Sequence, residues 1–313
     1  MSAGWVAGVV RARDLTRRCP GPGGARQIAA AASLDDAVRR LAGTPYRRYA
    51  RPAVGLPDAQ RAVMATLLWH LRVLAGWLPP GGARLLRPLA AGFEIANVAS
   101  RLTARDGPGA DEEAPARPPY RLGALETAWR ALERAPTPTQ LRAALRASPW
   151  GDPGAETPWA LVTGMRMAAA RRTSAQVGPA RRWARGRAAL LAARERFVHE
   201  HRLPGPVRRD AAELLGPRAV DAASFRDFRE RLPPAARWVL TDVEEPGELW
   251  RAEARWWRVL HQEGAVLLRD GGYGPRAVVG AVGVLSADAW RVRAALECAA
   301  RGGRPLGVFD ALA

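Results

Sequence analysis

Residues 56–78 read LPDAQRAVMATLLWHLRVLAGWL, and this stretch decides the fold class. Val63, Leu67, Leu71, Leu74 and Leu78 recur at steps of four, four, three and four, which lines one face of an α-helix. Pro57 brings the fixed φ of a first helical turn, and Asp58 complements the positive end of the helix dipole. Pro79-Pro80-Gly81-Gly82 stops the helix. Working outward, a shorter helix is expected over 83–89, ending or kinking at Pro88, and another over about 92–103. Helical spacing resumes at Leu122, Leu125, Trp129 and Leu132, and again at Leu141 and Leu145. It returns after Pro179 with Trp183, Leu190, Leu191 and Phe197, and then with Leu249, Trp256, Trp257 and Leu260. A last helix is expected near 287–300. There is almost no β-alternation between these stretches, so the fold class is all-α.

The 313 residues are 48% apolar, enough for real cores. All 48 basic residues are arginine, and no lysine is present. That excludes Schiff-base chemistry, a pyridoxal phosphate anchor and a P-loop lysine. Cys19 and Cys298 lie at opposite ends of the chain, which argues against a disulfide framework or a cysteine zinc site. The longest apolar run, 277–285, is half a membrane span and rich in glycine. Residues 1–10 lack the basic start of a signal peptide, so a soluble, cytoplasmic protein is expected.

The net charge of +18 is unevenly placed. Residues 1–106 carry 16 arginines against 6 acids and residues 107–235 carry 22 against 14, whereas residues 236–313 carry 10 of each. Within the second segment, Arg171, Arg172, Arg181, Arg182, Arg185 and Arg187 form a strip suited to an anionic partner. Nucleic acid is the first such partner to weigh. The strip contains a single aromatic, Trp183, and no zinc-finger or RNA-recognition pattern occurs, so nucleic acid is not the expected partner.

The segment 106–119, DGPGADEEAPARPP, has the composition of a linker, and Pro233-Pro234 marks a second boundary. The expected division is a helical domain over 1–106, a linker over 107–119, a second domain over 120–235 and a shortened third over 236–313.

No catalytic constellation stands out. His199-Glu200-His201 places its two imidazoles on different helix faces, so it reads as a solvated helix end rather than a metal site. Gly21-Pro22-Gly23-Gly24 follows no strand and is no dinucleotide fingerprint. An acid-x-x-polar element does return once per third: Phe93-Glu94-Ile95-Ala96-Asn97, then Asp221 to Ser224 followed by Phe225-Arg226, then Asp288 to Arg291. Residues three apart share a helix face, so each acid can meet its partner; Asp288 and Arg291 are expected to pair. Glu94 and Asn97, without a nucleophile or metal beside them, read as a buried or interfacial hydrogen-bonded pair.

The helix opening Gly55-Leu56-Pro57-Asp58, its Pro/Gly stop and the Phe93 to Asn97 helix together resemble the first domain of the C-type family of V-type ATPase central-stalk proteins, whose eukaryotic equivalent is the d-type component. Ser33-Leu34-Asp35-Asp36, running to Leu41 and Thr44-Pro45-Tyr46, is similar to another stretch of that family. The resemblance is strongest over 33–105 and weaker over 107–205. The family's D/E-x-x-N element keeps its asparagine here only at Asn97, with Ser224 and Arg291 standing at the later positions. The resemblance implies three related helical bundles in a pseudo-threefold funnel, with no catalytic residue and no cofactor. It also implies a place on the cytoplasmic face of the membrane, between a proteolipid ring and a coiled-coil shaft with its small companion subunit. The arginine strip would then meet acidic partner loops or acidic lipid head groups. Two other classes stand beside this one: a helical scaffold of the same fold serving another assembly, and a basic nucleic-acid binder.

Overall fold

The computed structural model describes residues 2–51, 55–106, 117–303 and 309. The regular elements among its described residues are all helices, with no strand among them. In chain order the α-helices are α1 (Ala3–Arg17), α2 (Gly21–Ala29), α3 (Leu34–Leu41), α4 (Leu56–Trp77), α5 (Gly82–Leu89) and α6 (Ala91–Asp106). They continue with α7 (Trp129–Glu133), α8 (Pro138–Arg146), α9 (Pro158–Gln176), α10 (Arg181–Phe197), α11 (Gly205–Leu215) and α12 (Pro217–Val220). The last are α13 (Phe225–Arg231), α14 (Pro234–Arg237), α15 (Leu249–Asp270) and α16 (Pro275–Ala300).

The chain divides into two compact units, residues 1–83 with 254–313, and residues 84–253. In the first unit α16 is the central helix and packs against α1, α2, α3 and α4. The face of α4 marked by Val63, Leu67, Leu71 and Leu74 is buried, as its spacing predicts. In the second unit α9 packs against α6, α10 and α11. Most of the expected linker, 107–116, lies outside the described residues, and 117–119 have no regular structure.

α16 starts at Pro275 and absorbs the glycine-containing run 277–285, so it is twelve residues longer at its N-terminal end than the helix expected over 287–300. The glycines there serve close packing and do not break the helix. A Cβ on Gly280 would lie 2.5 Å from the carbonyl oxygen of Gly264 and 2.5 Å from the amide nitrogen of Leu268, both on α15. Three short helices, α3, α8 and α13, share one construction at their start. Ser33, Thr137 and Ser224 each accept a hydrogen bond from the amide three residues on, at 3.2, 3.2 and 3.1 Å. Eight residues after each cap stands a fully buried leucine, Leu41, Leu145 and Leu232. The much longer α9 is capped in the same way by Thr157, but a methionine, Met165, holds the leucine's place.

Candidate functional site: three buried carboxylates

Among the described residues three acids are buried: Glu94, Glu195 and Asp288, each at most 4% exposed. They lie 101 and 93 residues apart, and each sits on a long helix, α6, α10 or α16. A buried carboxylate has to be met by donors, and each of these is met by the chain's own groups.

Glu94 accepts from the amides of Thr127 (2.6 Å) and Ala128 (2.9 Å) and from the Trp150 indole (2.7 Å). One turn along α6, Asn97 takes the amide of Tyr120 (2.7 Å) and gives its own N–H to the Tyr120 carbonyl (3.0 Å). Glu94 and Asn97 are thus buried together, as the sequence suggests, but each bonds to segment 120–128 and not to the other. Phe93 is buried edge-on against Tyr120, with ring centroids 5.3 Å apart. Arg172 closes this cluster, with its guanidinium 5.2 Å from the Trp150 ring centre and 3.2 Å from the Thr127 hydroxyl. Burial lowers the Arg172 pKa, and the Glu94 charge opposes that shift.

Asp288 accepts from the Gly21 amide (2.9 Å) and the Tyr46 hydroxyl (2.7 Å). The turns that present Tyr46 and Trp150 are alike. Each aromatic follows a hydroxyl residue and a proline, and its amide bonds to that hydroxyl at 3.2 Å, from Tyr46 to Thr44 and from Trp150 to Ser148. Both aromatics stand thirteen residues after their helix cap, Ser33 or Thr137. The expected Asp288–Arg291 ion pair is not formed. The Arg291 side chain is buried, yet its Nε and one Nη have no hydrogen-bond partner. Glu195 accepts from the Trp159 indole and stands 3.1 Å from His201 Nδ1. Its aromatic donor comes from the start of α9, so this third site is built differently from the other two.

Burial raises Asp288 above the ordinary carboxylate value, while bonds from Tyr46 and Gly21 and the charge of Arg291 work against the rise. A raised folded-state pKa means that the native state holds this proton more tightly than the unfolded chain. The resulting stability is fully present below the unfolded value near 3.8 and is lost as pH rises through the folded one. Asp288→Asn, whose amide oxygen still accepts from Gly21, is expected to abolish that decline. Urea midpoints of both proteins measured from about pH 3 to about pH 8 test this; parallel curves would contradict it.

The sequence's second acid, Asp221, is not part of this set. It lies at the end of α12 and Ser224 caps α13, so the two do not share a helix face. Asp221 is exposed and pairs with Arg208, and Arg226 pairs on the surface with Glu230. Glu195 holds the place that the pattern gives to Asp221. The nearly even spacing of 94, 195 and 288 is the signal that could have found it.

The arginine strip is only partly exposed. Arg172 is in the core, Arg171 pairs with Asp210 (3.1 Å) and Arg181 donates to the Ser174 carbonyl (3.3 Å). Arg182 lies 4.4 Å over the Trp238 ring, Arg187 bonds to Glu253 (3.2 Å), and the Arg185 Nε is buried without a partner. Arg181, Arg182 and Arg187 are the exposed members. His199, Glu200 and His201 are exposed just past the end of α10, and His201 also bonds to Glu195 and lies against Trp159 with ring centroids 4.3 Å apart. No group of three or more metal-ligating side chains occurs among the described residues, and no helix among them is long and apolar enough to cross a membrane.

No family model matches the chain, and no curated protein matches it.

Proposed function

We propose that the chain is a non-catalytic socket of the central stalk of a V-type rotary ATPase, built as three related helical bundles in a pseudo-threefold funnel. The observation that carries the reading is the recurrence, once per third, of a buried acid on a long helix and a short Ser- or Thr-capped helix ending at a buried leucine. These caps and acids alternate along the chain at 33, 94, 137, 195, 224 and 288, and the last acid reaches back to Gly21 and Tyr46 beside the first capped helix. A chain of three modules whose last helix completes the first module suits a socket around a shaft. The carboxylates are filled by backbone, indole, phenol and imidazole groups of the chain itself, so they hold the modules and face no reactant. Close-packed helices transmit strain, which torque transfer requires.

In this reading the partners are a coiled-coil shaft subunit, its small companion and the membrane proteolipid ring. The protein sits peripherally on the cytoplasmic face, with Arg181, Arg182 and Arg187 facing acidic partner loops or lipid head groups. No cofactor and no nucleic acid enter the function. The test is reconstitution of the full chain with a detergent-solubilised proteolipid ring and a shaft protein. Co-elution with both is expected, and it should weaken as salt rises. Failure to retain either one, or tight DNA binding with a steep salt slope in its place, would overturn the reading.

A further inference from the structure

Four arginines converge on one cleft in the first unit, far more positive charge than the local acids neutralise. The cleft measures about 540 Å³ and opens between α1, the turn 43–48 and α4. Arg11 and Arg18 come from the C-terminal half of α1 and the residue after it, Arg47 and Arg48 from the turn, and Trp69 and His70 from α4. Asp14 pairs with both Arg11 and Arg18, each at 2.9 Å. Among the described residues no carboxylate pairs with Arg47 or Arg48. The Nε of Arg11 is buried without an acceptor. His70 is a second and independent sign: its ring is only 3% exposed, lines the cleft and makes no hydrogen bond among the described residues. Burial, with Arg11 and Arg48 close by, lowers its pKa to about 4, so at neutral pH the imidazole is uncharged and keeps one N–H to donate.

A donor buried without an acceptor is costly unless an acceptor arrives, and here it is the Nε of a cation, Arg11. Arg48 is held in place by stacking 4.2 Å over the Trp69 ring, so its fork is ordered before any ligand binds. Planar guanidinium forks match phosphoryl oxygens two at a time. The volume lies in the range that holds small ligands.

We infer that this cleft is a binding site for a small anion bearing phosphoryl groups, held by Arg11, Arg47 and Arg48 with His70 donating from its floor. The site does not depend on the rotor reading, since none of these residues takes part in the three carboxylate clusters. The phosphoryl groups belong either to a soluble compound or to a lipid head group, and both sources present the same oxygens.

Calorimetric titration of the full chain with pyrophosphate at physiological salt tests the site. Saturable one-site binding is expected. The double variant Arg47→Gln/Arg48→Gln, with both side chains on the surface, should bind at least about tenfold more weakly, the loss of one to two charge-assisted bonds. His70→Phe should weaken binding about three- to tenfold. Arg130→Gln, an exposed position in the other unit, should change nothing. A parallel arm sediments the same proteins with vesicles containing phosphatidic acid or only phosphatidylcholine. Saturable pyrophosphate binding that the double variant loses identifies a soluble source. Retention on phosphatidic acid alone, lost in the same variant, identifies a head group. Equal binding by wild type and double variant in both arms, or no binding in either, overturns the site.

Discussion

Replacing Glu94 by alanine is expected to lower the free energy of unfolding by about 3–5 kcal/mol. The carboxylate is 1% exposed and satisfies three donors that have no other acceptor in place: two consecutive backbone amides, Thr127 and Ala128, and the Trp150 indole. Each buried donor left without an acceptor costs about 1–3 kcal/mol, so the three together set an upper end near 9. Water entering the space left by the side chain can serve part of the set, which brings the figure down. Glu94→Gln keeps one oxygen but turns an NH₂ group towards donors, and an intermediate loss of about 2 kcal/mol is expected. The contrast is Asp221→Ala. Asp221 is an exposed ion-pair partner of Arg208, and its removal should cost no more than about 1 kcal/mol. Urea unfolding followed by tryptophan fluorescence measures all three. A Glu94→Ala loss as small as that of Asp221→Ala would show that the cluster does not hold segment 120–128.

The same comparison explains what is legible in the sequence and what is not. Helices follow from local periodicity, and α4 and α6 lie where their apolar spacing and Pro/Gly boundaries put them. The importance of Glu94 and Asn97 is also legible, because both stand on one face of a helix that follows a clear stop. Their partners are not, because Tyr120, Thr127 and Trp150 are brought to them by the fold, 23 to 56 residues away. Asp288 is a stronger case, since it bonds across 267 residues to Gly21. No window-based reading pairs the end of a chain with its beginning. An acid-x-x-polar pattern selects Asp221 over Glu195 because it weighs only the residue at i+3. At Glu195 that residue is Val198, and the donors come instead from Trp159 and His201. The arginine strip is not the uniform surface its density suggests, for a related reason. Sequence density does not separate an arginine that stacks inside, such as Arg172 over Trp150, from an exposed one such as Arg187.

Gly280→Ala is expected to destabilise the first unit by about 3 kcal/mol, although alanine is the better helix former. In an open helix position the substitution gains about 1 kcal/mol, because glycine has more backbone freedom to lose on folding. Gly76 on α4 is such a position: it is exposed and has nothing within 4 Å of an added Cβ, so Gly76→Ala should stabilise by about that amount. At Gly280 the new methyl would stand 2.5 Å from both the Gly264 carbonyl oxygen and the Leu268 amide nitrogen. These are backbone atoms of α15, so no side-chain rotation relieves the overlap; the two helices have to separate. Separation would loosen the neighbouring Trp257–Trp290 stack, whose rings lie 5.4 Å apart and 16° from parallel. It would also shift α16, the helix that carries Asp288. The two alanine variants therefore have opposite signs, and thermal unfolding of each against wild type reads the difference directly. A Gly280→Ala protein as stable as Gly76→Ala would mean that α15 and α16 do not approach at these glycines.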